Sequence, residues 1–254
     1  MVSANARFKQ ALAERKLMVG CFIKTPHPII IEVLGAGPLD FLVLDAEHAP
    51  FDRTSIDACL LAARAVDCPV VVRVPDPSWI LSALDCGAAA VMVPHVVSRA
   101  QADALVRALH YGPGGRGFTA SPRAGGYGAR KLDEHLEQTA REVSLIAQIE
   151  DVEGVDNLAE IAATPGLDAL FVGRADLTVS YGLRDFFSEK TTEITRRVLG
   201  APGVATGLFC APNEDIAPWV AAGASFVVAG SEHNFLAAGG AALGRMRDSV
   251  TGGK

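Results

Sequence analysis

Residues with catalytic or ligand-forming side chains follow several short apolar runs of the sequence, at the point where each run ends. They include carboxylates, imidazoles, an amide and basic groups. If the runs are strands of one parallel barrel, their C-terminal ends meet at one rim, where the chemistry of such barrels is found. The residues concerned are Lys24, Asp45, Glu47, His48, Arg73, His95, Gln148, Glu150, Arg174 and Asp176.

Glu150 and Asp176 are the carboxylates best placed to bind a metal ion. They follow successive apolar runs, and Gln148 shares the inward face with Glu150 because the two are two residues apart on a strand. Two carboxylates, with water in the open positions, form the oxygen site that Mg²⁺ or a similar divalent ion prefers. The alternative is that Asp176 caps the helix beginning near Leu177 and Glu150 pairs with a surface cation.

Arg73 and the pair Asp45 and His48 are candidates for binding and proton transfer. The guanidinium of Arg73 suits a substrate carboxylate or oxyanion, although it could instead neutralise Glu47 or Glu150 in the core. Asp45 lies three residues before His48, so its carboxylate could fix the imidazole tautomer and raise its basicity. The alternative is an ordinary loop hydrogen bond.

Two further residues leave alternatives open. His95 follows the fourth apolar run and either lines the pocket or has a structural role. Lys24 ends the first run and could form a Schiff base with a carbonyl substrate. The neighbouring carboxylates Glu150 and Asp176 favour a metal route to the same enolate.

The apolar runs predict eight strands, because runs that are apolar at nearly every position are typical of parallel strands buried on both faces. Segments of helical character separate them, which predicts an α/β fold made of βα units. The predicted strands are Met18–Ile23, Phe41–Leu44, Val70–Val74, Ala90–Val93, Val143–Ile149, Ala169–Val172, Val204–Phe209 and Phe226–Ala229. The clearest helices are predicted from Asp52 to Ala65, Pro77 to Leu84 and Ser98 to Leu109.

The segment from Tyr111 to Arg130 is rich in glycine and proline and cannot be a regular helix. It is interpreted as a long loop after the fourth strand, and loops of this length are usually functional or disordered. We expect it to reach over the rim or towards a neighbouring subunit.

Length and charge limit the class of protein. A chain of 254 residues matches a single barrel domain, here residues 1–254, and its 50% apolar content suffices for a sizeable core. The 23 basic and 29 acidic residues give a formal charge of −6 with no basic stripe, which argues against nucleic-acid binding.

The sequence predicts a cytoplasmic protein. The N-terminus shows no apolar signal segment, and no stretch is long enough to span a membrane. The five cysteines are odd in number and lie mostly in apolar surroundings, which suits reduced thiols of the core.

Six segments, in order along the chain, resemble the class II pyruvate aldolases of the HpcH/HpaI family. They are Leu44–Pro50, Val72–Val74, Val93–Pro94, Arg116–Gly117, Ala147–Glu150 and Phe171–Leu177. The resemblance implies a (β/α)₈ TIM barrel of the phosphoenolpyruvate/pyruvate type. It also implies a divalent ion, Mg²⁺, Mn²⁺ or Co²⁺, held by Glu150 and Asp176, with Glu47 as an outer acid beside a metal-bound water.

The same resemblance assigns roles in a retro-aldol cleavage that gives pyruvate and an aldehyde. His48 matches the catalytic histidine, oriented by Asp45. The pyruvate end would be bound by Arg73, Gln148 and the backbone of Gly173, Arg174, Ala175 and Asp176. The family also exchanges its last helix between subunits, which implies a homo-oligomer, a hexamer built as a trimer of dimers, with the apolar segment from Phe235 to Met246 against a partner.

Two departures concern the aldehyde half of the substrate. The loop beginning at Tyr111 differs from the family pattern, and Arg174 stands where proline is expected. Arg116, Arg123 and Arg174 together predict an acidic aldehyde, because arginine binds carboxylates in a bidentate manner. The alternative is that these arginines pair with acids of the protein.

Two other functions fit the same barrel. One is a CoA-ester lyase of the citrate-lyase β or malyl-CoA type, although no basic surface for the adenine half is evident. The other is a non-catalytic barrel that binds a pyruvate-like ligand.

Overall fold

The computed structural model describes residues 2–251, which contain eight parallel strands arranged as a closed barrel in chain order. The strands are β1 (Met18–Ile23), β2 (Phe41–Asp45), β3 (Val70–Arg73), β4 (Ala90–Val93), β5 (Ser144–Ile149), β6 (Ala169–Val172), β7 (Ala205–Cys210) and β8 (Phe226–Ser231). Each pairs with the next, and β8 closes the barrel against β1. The predicted (β/α)₈ barrel is confirmed, with strand limits within one or two residues of those expected.

The strand sequences are apolar throughout because both faces are buried. In β3, the side chain of Val71 belongs to the cluster inside the barrel, whereas Val70 and Val72 belong to the cluster between the strands and the helices. Successive side chains of a strand point to opposite faces, so a continuous apolar run supplies both cores.

The helices surround the barrel and connect successive strands. Their bounds are α1 (Ala4–Ala13), α2 (Pro28–Gly35), α3 (Arg53–Ala65), α4 (Ile80–Asp85), α5 (Arg99–Leu109), α6 (Leu132–Glu142), α7 (Val152–Asp156), α8 (Leu158–Ala162), α9 (Arg174–Ser180), α10 (Glu189–Leu199), α11 (Ala217–Ala221) and α12 (Glu232–Thr251). Short 3₁₀ helices occupy Pro77–Trp79 and Arg123–Gly128. Asp52 caps α3 as expected: its carboxylate accepts the backbone N–H of Ser55 at 2.7 Å.

The glycine-rich segment from Tyr111 to Arg130 lies at the N-terminal end of the barrel. Arg123, within it, donates a hydrogen bond to the carboxylate of Asp57 on α3 at 2.8 Å. The segment also lines a cavity of about 350 Å³ together with Val70 and Val143, at the starts of β3 and β5. The expectation that it reaches over the rim of its own barrel is wrong, because α5 first carries the chain back to the opposite end.

All five cysteines are buried and unpaired in the described structure. Burial raises the pKa of each thiol, to about 12 for Cys21 and Cys210 and to about 11 for Cys59, Cys68 and Cys86. Within residues 2–251, no helix has both the length and the apolar character needed to cross a membrane.

The last helix, α12, packs against β1 and β8 and presents large apolar side chains to the surface. These are Leu236, Leu243, Met246 and Val250, and Phe235 is partly exposed beside them.

Candidate active site

Asp45 and Arg73 form a buried ion pair at the C-terminal ends of β2 and β3. The two residues are register partners, and Oδ1 of Asp45 accepts hydrogen bonds from Nε and Nη2 of Arg73 at 3.1 and 2.8 Å. Nε of Arg73 also lies 3.3 Å from Oε2 of Glu47, and the guanidinium stacks 4.6 Å above the ring of Phe22. These contacts fix the orientation of Arg73 and leave its Nη1 group without an acceptor among the described residues.

Asp45 contacts His48 through the backbone. Its Oδ1 accepts the backbone N–H of His48 at 3.1 Å, and its Oδ2 faces Nζ of Lys24 at 3.5 Å. The imidazole is more than half exposed, and its Nε2 lies 3.7 Å from Oε2 of Glu47. The predicted contact between Asp45 and the His48 ring is therefore not made in this structure, because Arg73, Lys24 and a backbone amide surround the carboxylate.

Glu150 is almost completely buried just beyond β5. Its Oε1 accepts the backbone N–H of His95 at 2.8 Å, and its Oε2 accepts a hydrogen bond from Nε2 of Gln148. Burial is the main cause of a raised pKa of Glu150, and the charge of Asp176 raises it further. The charges of the predicted carboxylates Glu150 and Asp176 thus influence each other, and their joint binding of an ion stays a prediction.

The chain approaches Glu150 closely at Gly173. A Cβ atom at this position would lie 2.5 Å from Oε2 of Glu150, so only glycine allows the backbone to pass here. Gly173 precedes α9, and Asp176 lies exposed in the first turn of that helix. Asp176 is therefore not the cap of the helix, which was the alternative explanation for its position.

His95 lies just beyond β4 and completes a cluster that the sequence did not predict. Its Nδ1 lies 2.9 Å from Oδ2 of Asp151 and 3.5 Å from Oε1 of Glu150. The hydrogen bond to Asp151 is the main cause of a raised pKa of His95. One potential ligand atom from each of Glu47, His95 and Glu150 lies within 4.8 Å of the other two. Positions after neighbouring strands were the signal for this cluster, but the direction of each side chain was not readable from sequence.

The donor set at this rim fits a divalent cation. A buried carboxylate such as Glu150 is costly unless a positive charge balances it. The buried Oε1 of Gln148 has no hydrogen-bond donor among the described residues. A metal ion, its bound water or a substrate group would satisfy both the carboxylate of Glu150 and the Oε1 atom of Gln148.

A family model described as HpcH/HpaI aldolase/citrate lyase matches residues 18–238. The chain belongs to this family. The 5-keto-4-deoxy-D-glucarate aldolase of Escherichia coli O157:H7 (strain EC4115 / EHEC) is 35% identical over 233 residues, covering 89% of this chain and 90% of the relative. The aldolase of the same name from Salmonella arizonae is 37% identical over 240 residues, covering 92% and 93%.

Two solved structures share the barrel. A member from Burkholderia cenocepacia J2315 superposes with a TM-score of 0.89 at 32% identity, covering 95% of this chain and 99% of the other. The citrate synthase SbnG gives a TM-score of 0.83 at 28% identity, with coverages of 96% and 98%. The chain is therefore an enzyme of the aldolase and lyase class, and the non-catalytic alternative is set aside.

Arg174, a departure from the expected HpcH/HpaI pattern, forms an ion pair with Glu214 inside the protein. Its guanidinium donates to both carboxylate oxygens of Glu214 at 2.7 Å and to the carbonyl of Phe209 at 2.7 Å. It also lies 5.0 Å above the ring of Trp219. Glu214 thus neutralises its charge in this structure, which is the alternative of pairing with an acid of the protein, and binding of an acidic aldehyde by Arg174 stays a prediction.

Arg116 and Arg123 are also not at the rim of their own barrel. Arg116 is buried against the ring of Tyr111 at 4.0 Å, and Arg123 pairs with Asp57. Both lie at the N-terminal end, where they line the same cavity. Their predicted part in aldehyde recognition within one subunit is therefore wrong, because α5 returns the chain to the N-terminal end of the barrel before this segment begins.

Proposed function

We propose that the chain is a divalent-metal-dependent aldolase that cleaves a 4-hydroxy-2-oxo acid into pyruvate and an aldehyde. The observation that carries the proposal is that Glu47 lies between Arg73 and the pair His95 and Glu150 at the rim. Its carboxylate contacts Arg73 on one side and clusters with His95 and Glu150 on the other. A guanidinium and a buried carboxylate thus flank one mouth, as a 2-oxo acid and a cation require.

Glu150 and Asp176 are the residues that would hold the ion, with Glu47 close by. A bound Mg²⁺, Mn²⁺ or Co²⁺ would polarise the 2-oxo group and stabilise the negative charge that develops when the carbon–carbon bond breaks. Glu150 is oriented for this by the backbone N–H of His95 and by Gln148.

Arg73 and Gln148 would bind the pyruvate half. The Nε and Nη2 groups of Arg73 are held by Asp45, so Nη1 is available to an oxygen of the substrate. The amide of Gln148 donates to Glu150 and points an unpaired oxygen into the site. Gly173 passes beside Glu150, and the backbone of Gly173, Arg174, Ala175 and Asp176 at the start of α9 would supply further N–H donors.

His48 would remove the proton of the C4 hydroxyl, directly or through water. As the C3–C4 bond breaks, its electron pair enters the pyruvate enolate, which then takes a proton at C3, and C4 leaves as the aldehyde. The imidazole is exposed at the mouth, where a general base needs access to substrate. Asp45 acts here by positioning Arg73 and the backbone of His48.

Lys24 supports the metal route over the imine route. Its Nζ atom lies 3.5 Å from the buried Oδ2 of Asp45, and an amine paired with this carboxylate is not free to attack a carbonyl group. Removal of metal by a chelator should abolish pyruvate release, and added Mg²⁺, Mn²⁺ or Co²⁺ should restore it. Full turnover after exhaustive chelation, or inactivation by borohydride in the presence of pyruvate, would contradict the proposal.

Two variants test, within the same experiment, whether Glu150 binds the metal ion. Glu150→Gln should stay inactive at every metal concentration, whereas Glu153→Gln, which alters an exposed acid of α7, should respond like the natural protein. Equal metal dependence of both variants would remove Glu150 from the site.

Lys24 also bears on the identity of the substrate, because Arg174 is paired with Glu214 and Arg116 and Arg123 lie at the opposite end of their own barrel. Lys24 follows β1 at the mouth and its side chain is 37% exposed, so it remains open to a substrate group although Asp45 lies beside it, and we infer an acidic aldehyde half from its charge. A screen of 4-hydroxy-2-oxo acids with acidic and neutral aldehyde halves, and of CoA esters, measures this preference. Lys24→Met should lose the preference while Lys16→Met, at an exposed site beyond α1, retains it.

Location in the cytoplasm is part of the proposal. The unpaired, buried cysteines suit a reducing compartment.

A further inference from the structure

His95 brings an imidazole nitrogen to the carboxylates of Glu47 and Glu150. It follows β4, next to β5, and its Nδ1 faces Oε1 of Glu150 at 3.5 Å. Ligands that share an ion lie about 2.0–2.2 Å from it, which separates two neighbouring ligand atoms by roughly 3 to 3.5 Å. The distance between Nδ1 and Oε1 matches that separation, and a carboxylate oxygen of Glu47 completes the group.

The backbone of His95 is held in an unusual conformation. Its φ angle is +55°, in the left-handed region that side chains other than glycine rarely adopt. Three contacts maintain it: the N–H donates to Glu150, the carbonyl accepts from Gln101 at 3.1 Å, and the ring contacts Asp151. Strain of this kind persists where the surroundings fix it and is concentrated at functional sites. Here it turns the peptide N–H and the imidazole of one residue towards the same carboxylate.

We propose that His95 is a ligand of the metal ion, so that this chain has a mixed nitrogen and oxygen centre that prefers Co²⁺ to Mg²⁺. The inference rests on the proposed metal-dependent function and specifies the chemistry of its site. The ion would occupy the position between Nδ1 and the carboxylates of Glu47 and Glu150, with the imidazole proton on Nε2. Imidazole suits Co²⁺, Zn²⁺ and similar ions, whereas Mg²⁺ binds oxygen ligands almost exclusively.

The substitution His95→Asn isolates the nitrogen donor. Asparagine also tolerates a positive φ angle, and its amide oxygen can still serve a hard ion. Calorimetric titration with CoCl₂ should show affinity reduced by about tenfold or more in this variant, comparable to the 10- to 100-fold effects of disturbing metal sites. Affinity for MgCl₂ should change by less than about threefold, because the oxygen ligands are intact.

His233→Asn is the matched control. His233 is a half-exposed histidine of the same rim, beside Thr25 and Glu232 at the start of α12. Its replacement should leave both affinities unchanged. Unchanged selectivity in His95→Asn would overturn the proposal while leaving the metal-dependent function intact, provided that Glu150→Gln loses both ions. Failure of the natural protein to bind any divalent ion would overturn both.

A spectroscopic measurement on the natural sequence needs no variant. In Mn²⁺-loaded protein, electron spin echo envelope modulation should detect one directly bound ¹⁴N. A spectrum without ¹⁴N coupling would overturn the assignment even if His95→Asn failed to fold.

Discussion

Asp45 is a buried carboxylate with three kinds of partner. Arg73, Lys24 and the backbone N–H of His48 surround it, and none of its surface is exposed. A buried charge of this kind is stable only when its partners are well placed, and removing one partner is costly. Asp45 therefore acts as an anchor that sets the positions of the groups around the mouth.

Replacement of His48 tests whether its imidazole is the general base. His48→Ala should reduce the kcat of aldol cleavage by roughly 10²- to 10⁴-fold, the usual contribution of a general base. Pyruvate binding should hardly change, because Arg73 and Gln148 do not contact the imidazole. Stopped-flow kinetics and pyruvate titration measure the two effects, and His27→Ala, at an exposed histidine beyond β1, is the control. Unchanged turnover would exclude His48 as the base.

Sequence reasoning identified the residue types of the site better than their contacts. Glu150, Gln148 and Arg73 could be placed because each follows an apolar run, and the ends of parallel strands meet at one rim. The spacing of Asp45 and His48 suggested a side-chain pair, but it could not show that Arg73, on the next strand, contacts the same oxygen. The contacts of His95 depend on a left-handed backbone that no residue pattern announces.

Strands were predictable because burial on two faces leaves long apolar runs. The end of the barrel at which the glycine-rich segment lies was predicted wrongly. Its composition showed only that it could not be a regular helix. Gly126 and Tyr127 indeed have positive φ angles of 65° and 57° within it. The sequence predicted the helix that ends at Leu109, and the structure has it as α5 (Arg99–Leu109), which returns the chain to the N-terminal end of the barrel. The error was to interpret the segment as a loop directly after the fourth strand, although this helix precedes it.

The turn between β6 and α9 gives a second prediction. Gly173→Ala should lower metal affinity and turnover by about tenfold or more, since its Cβ would collide with the carboxylate of Glu150. Gly117→Ala is the control, because a Cβ there has no neighbour within 4 Å. Calorimetry with Mn²⁺ and circular dichroism separate damage to the site from damage to the fold. Normal metal binding by Gly173→Ala would show that the backbone can move away.

The ion pair between α9 and the segment after β7 gives a prediction of stability against pH. Burial opposes ionisation of Glu214, but hydrogen bonds from Arg174, the Ala211 backbone and Trp219 outweigh it and lower its pKa below the ordinary value. A lowered pKa in the folded state adds stability at neutral pH, and this contribution is lost as pH falls through the folded pKa.

Glu214→Gln should therefore reduce the free energy of unfolding by roughly 3 kcal/mol at pH 7, because it leaves the buried Arg174 without its counter-charge. The difference from the natural protein should shrink at acid pH, once the pH has fallen through the lowered folded pKa and the natural carboxyl is itself protonated. Urea titrations at both pH values test this. A difference independent of pH would mean that shape, not charge, holds the contact.

At the scale of the whole molecule, the exposed apolar face of α12 predicts self-association. Leu236, Leu243, Met246 and Val250 are each more than 60% exposed on one helix, and contiguous apolar surface of this kind marks interaction sites. We expect a homo-oligomer, a hexamer built as a trimer of dimers, in light scattering at micromolar concentration. A single species of 26.6 kDa would contradict this expectation, and Leu243→Glu should weaken the assembly.

The five buried cysteines can be alkylated only when the folded structure opens transiently. Alkylating reagents attack the thiolate, and at neutral pH the folded chain offers almost none, because each thiol is enclosed and its pKa lies at about 11 or 12. Modification by iodoacetamide must therefore wait for an excursion that exposes the layer between strands and helices. The rate at which each of the five thiols is alkylated, from β1 to β7, therefore reports how often such opening occurs. A ligand that binds only the folded form should slow the alkylation of all five thiols together.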